Sequence, residues 1–497
     1  MPGHQGKQRA SYALMNISEL ADWMTRGGDA RIVLDPATAL NRYHSAPYPR
    51  DVLSFASSTA NDLSADAMAF LETEFAEGAG ALEAGDAYAS YLDTMRVRIT
   101  AAYSLPEGTD IFFAPSGTDL EYVALLAVAD RKPNGIANLL LGADEVGSGC
   151  IHSAAGRYFA NETALVNGVK PGDSIAGFPP IEMGDFPVRN PEGEAFDSET
   201  LVGHMEMAIA NALADGRFPL VHVVHGSKTG LVLPHLDDID RLKARFAGDV
   251  AFVVDACQAR ITTQAIHDYL ARGIIVFLTG SKFMGGPPFS GFALLPAGAV
   301  NAAARLASGM ATVFRRAEVP TGWAGAEALP DSGNAGLALR LSASLFELER
   351  FQKLSIDRVT RVVSAFNQAA GALADQLRAR KVAATPAEDA DEEIQHPIEM
   401  QTLVTLDLCH DENGAVSRTL DFDSAVAIHK AMTSDGVRLG QPVRCVKLPD
   451  GRWGATLRVG LSMPQVVRLD GLGDAEMAAW LQSSMDRIAG ALQPRLD

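Results

Sequence analysis

Between about residues 52 and 300, short apolar runs alternate with stretches whose apolar positions recur at helical spacing. The runs are DIFFA (110–114), NLLLG (138–142), LVHVV (220–224), VAFVVD (250–255), GIIVFLTG (273–280) and GFALLP (291–296). They are apolar on both faces and bounded by Gly, Pro or Asp, which is how strands buried in a parallel sheet read. The intervening DLEYVALLAVADR and HLDDIDRLKARFAG read as helices. That order implies βαβ units and a sheet covered on both sides. The pattern changes further on. Residues 337–380 predict one or two long helices. Strand candidates QTLVTLDL (401–408) and GATLRVGLS (454–462) follow, and then a final helix, DAEMAAWLQSSMDRIAGAL.

The expected division is an N-terminal arm (1–51), a large α/β domain (52–336), and an interdomain helix with a small α+β domain (337–497). Within the arm, ISELADWMTRG predicts a helix, and Pro punctuates the rest as far as Tyr48-Pro49. Residues 383–396 (AATPAEDADEEIQH) are acidic and predict a surface loop. No internal repeat is present.

Composition narrows the function classes. With 497 residues, 47% hydrophobic and 21% charged, the chain reads as an ordinary globular protein of two or three domains. A net charge of -19 argues against a nucleic-acid partner and against an anionic membrane surface. No apolar run approaches the roughly 20 residues that span a bilayer. The polar N-terminus lacks a secretory h-region. Cys150, Cys257, Cys409 and Cys445 show no CxxC spacing, which fits a reducing cytoplasm and argues against a disulfide framework or a zinc site.

Three short motifs stand in an informative order. Pro115-Ser116-Gly117-Thr118 lies between a strand and a helix, where free N–H groups and a partial positive charge favour phosphate. Gly117 lets the backbone approach, and Ser116 and Thr118 offer hydroxyls. Asp119 is expected to steady the helix start and to face away. Next, strand VAFVVD ends in Asp255, at the edge where open α/β sheets bind ligands. Third, Gly280-Ser281-Lys282 follows strand IIVFLT, where desolvation would turn the lysine into a usable amine nucleophile. Each piece alone also fits a structural role: an N-cap, a solvated strand end, a snorkelling lysine. Together they supply a phosphate cup, a carboxylate for a pyridinium nitrogen and an imine-forming lysine, the needs of pyridoxal 5′-phosphate (PLP). The lysine stands 27 residues after the Asp.

In this order the motifs resemble those of fold-type I PLP-dependent enzymes, and among them the class V aminotransferase and cysteine desulfurase group, over roughly 52–465. The resemblance implies a fold-type I transferase: a mainly parallel seven-stranded sheet sandwiched by helices, with a smaller α+β C-terminal domain. It implies a Schiff base on Lys282, phosphate contacts from Ser116, Gly117, Thr118 and Thr279, and Asp255 on the ring nitrogen. Gln258, His225 and Ser227 would approach the ring hydroxyl side. LRVGLS resembles the strand whose arginine clamps the substrate carboxylate, which nominates Arg458. SFASSTAND (54–62) resembles the N-terminal substrate loop, which nominates Ser58. SGN (332–334) resembles the segment that reaches a partner's phosphate, so Asn334 and a homodimer are implied.

The departures bear on the reaction. The ring-stacking position falls on Glu145 or Val146, with His152 offset by several residues. GVRLGQPVRC (436–445) resembles the loop of the desulfurase nucleophile, but Val443 holds the expected position and Cys445 is two residues displaced. Cys257 reads as packing. Arg315, Arg316 and Trp323 in TVFRRAEVPTGW either border the pocket or form a surface loop with a packed Trp. The leading expectation is an aminotransferase-like PLP enzyme acting on an α-amino acid. The alternatives are a carbon–sulfur or other eliminating lyase, and a PLP-fold protein that binds an amino acid without turnover. No GxSxG, Walker A or HExxH motif supports a different α/β enzyme, and no metal is expected.

Overall fold

The computed structural model describes residues 18–56, 61–142, 145, 150–384 and 401–496. All six apolar runs are strands. In chain order the strands are β1 (Leu53–Phe55), β2 (Asp110–Ala114), β3 (Ile136–Leu141), β4 (Ile181–Phe186), β5 (Phe218–His225), β6 (Val232–Leu233), β7 (Ala251–Asp255), β8 (Ile275–Thr279) and β9 (Gly291–Leu295). The main sheet runs β2-β9-β8-β7-β5-β3-β4, and the short β6 turns back on β5.

Two features depart from the sequence reading. Strand β9, expected to be parallel, is antiparallel to both β8 and β2. Only residues 280–290 separate it from β8, too few for a helical crossover, which needs a dozen residues or more. Strand β4 was not foreseen. It is an edge strand whose residues are half-exposed or exposed, so it carries no apolar run.

Side chains alternate across the sheet and build two cores. Phe113, Val254, Val276 and Leu294 point to one face, against the helices Gly85–Ala102 and Ala335–Phe351. Phe112, Val253, Phe277 and Ala293 point to the other, against the helix Leu120–Val128, all nine residues of which are buried. This is the period-2 rule applied to strands covered on both sides.

Beyond the large sheet, β10 (Arg380–Val382), β11 (Leu403–Asp407) and β13 (Thr456–Gly460) form a three-stranded antiparallel sheet. The stretch 337–380 contains two helices, ending at Phe351 and Leu377, and the last helix spans Asp474–Leu492. Strand β12 (Val437–Leu439) pairs in parallel with β1, so the segment after the arm is tied to the C-terminal region. Among the described residues no helix is long and apolar enough to cross a membrane.

Topology brings the three motifs together. Gly291 at the start of β9 pairs with Ala114 on one side and Thr279 on the other. The turn after β2 and the loop after β8 therefore leave the sheet side by side. Strand β7 lies next to β8 in parallel, so Asp255 emerges at the same edge.

Candidate active site

At that edge lies a cavity of about 230 Å³, lined by Ser116, Gly117, Thr118, Asp255, Gln258, Thr279, Lys282 and Arg458. Eight of the residues nominated from the sequence thus meet in one place. They come from the ends of β2, β7 and β8 and from β13, up to 342 positions apart (458 − 116).

The Ser116–Thr118 turn leads into a helix whose N-terminus has no side-chain cap. Among the described residues the Gly117 and Thr118 amides donate to no backbone carbonyl. A Cβ at position 117 would lie 2.9 Å from Thr279 Cγ2 and 3.4 Å from Cys257 Sγ. Glycine therefore lets the turn sit against the ends of β7 and β8. The two flanking hydroxyls differ. Thr118 faces the cavity, whereas Ser116 Oγ donates to Asp119 Oδ2 at 2.6 Å. Asp119 is buried, and desolvation raises its carboxyl to about 7. It lines a smaller neighbouring cavity with Pro115, Tyr122 and Phe159.

Asp255 closes β7 and accepts from the Cys257 amide at 2.9 Å. Burial, then the charge of Asp255, push the Cys257 thiol well above its ordinary value. The thiol is therefore held protonated at the wall of the cavity. Gln258 Oε1 accepts from Arg260 at 2.9 Å, which leaves its NH₂ as the group it can offer a ligand.

Lys282 is half-buried on a loop held from several sides. Asn61 Nδ2 donates to the Ser281 and Lys282 carbonyls at 3.1 and 2.8 Å. A Cβ at Gly280 or Gly286 would meet Ser344 Oγ at 2.2 or 2.0 Å, so the loop packs against the helix Ala335–Phe351 as only glycine allows. Thr279 donates its hydroxyl to the Cys257 carbonyl at 2.8 Å. Neighbouring Ser281 also lines the cavity.

Arg458 is buried, donating through Nε to the Gln441 carbonyl at 2.8 Å and through Nη1 to the Lys228 carbonyl at 3.0 Å. Desolvation lowers it to about 10, partly opposed by the charge of Glu145.

Other nominated residues stand elsewhere. His225 does not line the cavity; its Nδ1 lies 3.1 Å from the Tyr269 hydroxyl. The register explains this. Val224 is the partner of Asp255, so His225 points to the opposite face of the sheet. Ser227 Oγ donates to Glu145 Oε2 at 2.8 Å, away from the cavity. Glu145 in turn pairs with Arg189 at 3.0 Å in a buried cluster with Thr229, so it is committed there rather than to stacking. Asn334 caps the helix Ala335–Phe351 and donates to the Gly27 carbonyl at 3.1 Å. His152 is exposed. Ser58 and Val146 lie outside the described residues. Arg315, Arg316 and Trp323 do not border the cavity; Trp323 is core and donates to the Ala304 carbonyl at 2.9 Å.

The loop 436–445 is pinned. Val443 exchanges hydrogen bonds with the Thr456 hydroxyl at 3.0 and 2.7 Å. Cys445 lines a different cavity, with Arg189, Arg380 and His410, and burial pushes its thiol up to about 12.

No family model and no curated protein sequence matches the chain. Solved structures do. A cysteine desulfurase from Escherichia coli superposes with a TM-score of 0.54 at 15% identity, covering 90% of this chain and 95% of that one. A cysteine desulfurase from Thermococcus onnurineus gives 0.52 at 16%, covering 88% and 95%. Ureidoglycine-glyoxylate aminotransferase from Bacillus subtilis gives 0.51 at 15%, covering 90% and 98%. The chain has the fold-type I transferase fold. At these identities the likeness speaks for the fold, and the reaction must be argued from the site.

Several lining residues carried no signal in the sequence. Arg31 and Tyr43 come from the arm, Cys150 from the short helix Cys150–Ala154 and Phe289 from the lysine loop. None sits in a motif with strand or helix periodicity. Ser281 beside the lysine, Cys257 beside Asp255 and Lys228 beside Ser227 were within reach of motif reading.

Proposed function

We propose that this chain holds PLP on Lys282 and acts on an α-amino acid, with transamination as the leading reaction. One observation carries the reading: an amine, a strand-end carboxylate, an uncapped helix N-terminus with hydroxyls, and a buried guanidinium line one cavity. The residues fit the group. Gly117 and Thr118 offer amides and a hydroxyl of the kind a phosphate accepts. Asp255 is suited to hold a proton on a ring nitrogen, and Lys282 to form the imine. When bound, PLP supplies an aldehyde and a ring that withdraws electrons from Cα.

The chain's own residues do the rest. Arg458 orients the substrate carboxylate through its remaining N–H groups. Lys282, once released, takes the proton from Cα and returns it. Asn61 and the glycine packing against Ser344 hold the lysine loop so that the amine stays over the cavity. The pinned loop and buried Cys445 favour a reading without a sulfur nucleophile. A homodimer belongs to this reading on the resemblance of SGN (332–334) alone, and light scattering checks it.

Adding PLP to the protein should give an absorbance band at roughly 410–430 nm. Borohydride should fix the cofactor on the Lys282 peptide, and Lys282→Ala should abolish both signals. A stoichiometric keto acid on adding an amino donor alone supports transamination. Catalytic pyruvate and ammonia would favour elimination instead. Protein that stays colourless, or a label on another lysine, sinks the proposal.

A further inference from the structure

We propose that Arg31, delivered by the N-terminal arm, is the cation that holds the phosphate end of the cofactor. This rests on the PLP reading above. Arg31 lines the same cavity as Ser116, Gly117 and Thr118. The phosphate turn has a carboxyl group of its own: Asp119 is buried beside it and accepts a hydrogen bond from the Ser116 hydroxyl. A phosphate arriving next to that carboxylate needs a compensating cation. Arg31 is close enough to Asp119 for their charges to interact. Two of the other three described cations lining the cavity have other places. Lys282 is required for the imine. Arg458 is fixed to the Gln441 carbonyl and to the carbonyl of Lys228, the fourth cation.

The guanidinium of Arg31 is preorganised. Asp29 accepts from Nε at 2.9 Å and from Nη2 at 2.7 Å, and the Tyr43 hydroxyl, also at the cavity wall, bonds to the same guanidinium. Its Cζ lies 4.7 Å from the Phe289 ring centroid and 5.1 Å from that of Phe159. Phe289 itself lines the cavity. The arm is fastened just before Arg31. Arg340, fully buried, donates to the Phe289, Met24, Arg26 and Gly27 carbonyls at 2.8, 2.8, 2.6 and 3.0 Å. Asn334 adds its bond to Gly27. A guanidinium buried on carbonyls alone is costly, and here it fixes the start of the irregular segment that carries Arg31 and Tyr43 to the cavity.

The test compares PLP with pyridoxal, which lacks the phosphate, by titrating apoprotein with each. Wild type should take PLP far more tightly. Arg31→Gln should lose about 10- to 100-fold in PLP affinity, with pyridoxal affinity unchanged. Arg31→Lys should be intermediate. Asp29→Asn, which loosens Arg31 without removing it, should show a smaller loss in the same direction. Inorganic phosphate should compete with PLP for wild type and less so for Arg31→Gln. Equal weakening of both aldehydes would mark a structural role and overturn the proposal. So would an unchanged PLP-to-pyridoxal ratio. Wild type that takes up neither aldehyde at Lys282 overturns the cofactor reading and this inference with it.

Discussion

Arg31 and Arg458 enter one cavity from opposite ends of the chain, and they are held in contrasting ways. Arg31 rests on the Asp29 carboxylate; desolvation lowers it most, but the hydrogen bonding to Asp29 and the charges of Tyr43, Asp29 and Asp119 together hold the guanidinium above its ordinary range. Arg458 rests on two backbone carbonyls, and desolvation brings it down to about 10. A compensated cation is a fixed part of the scaffold. An uncompensated one gains most when a ligand brings the missing anion. The contrast fits a resident phosphate at the first and a substrate carboxylate, which comes and goes, at the second.

The sharpest test of that contrast removes Arg458. Arg458→Gln should weaken α-amino acids by roughly a hundredfold or more, while amines lacking the carboxylate bind as before. Spectral titration of both ligands reads the difference. Retained preference for the amino acid would remove Arg458 from the substrate site.

A second test concerns Asp119, at the Arg31 end. Its carboxyl titrates near 3.8 unfolded and about 7 folded. Between those values the folded chain keeps a proton that the unfolded chain has lost. The group therefore costs stability progressively from pH 4 to 7, and by a constant amount above. Asp119→Asn should raise Tm by the equivalent of about 4 kcal/mol at pH 8 and leave it nearly unchanged near pH 4. A gain that is the same at both pH values would place the effect in packing.

The third is a pH profile. Because Arg458 loses its proton near 10, the preference for amino acid over amine should fall about tenfold per unit above that pH. The preference for PLP over pyridoxal, which depends on the raised Arg31, should hold. The smallest effect is expected from Cys445→Ala: turnover unchanged and stability lower by about 1 kcal/mol. A large loss of activity would return a sulfur nucleophile to the mechanism.

Much of the fold was legible because buried strands and amphipathic helices have different periods. The runs ending at Ala114, Asp255 and Thr279 and the helices ending at Val128, Phe246 and Leu492 could be read from them. Strand β4 was illegible because an edge strand need not be apolar. The direction of β9 depended on connection length rather than on pattern. In the site, Asp255 and Lys282 were legible because polar residues closing apolar runs are unusual. His225 closes a run equally well. Only the pairing of Val224 with Asp255 reveals that it faces away.

By itself the sequence determined which segments are strands and helices, and which residues of suitable chemistry stand at their ends. Those are local properties, set by side-chain period and by what each backbone end leaves unpaired. The tertiary structure alone decided which of those ends share a cavity, on which face each side chain emerges, and that an irregular arm reaches the same cavity. These depend on strand register and on long-range contacts such as Arg340 to Met24, Arg26 and Gly27. Such contacts join positions more than 300 apart, and no short-range pattern records them.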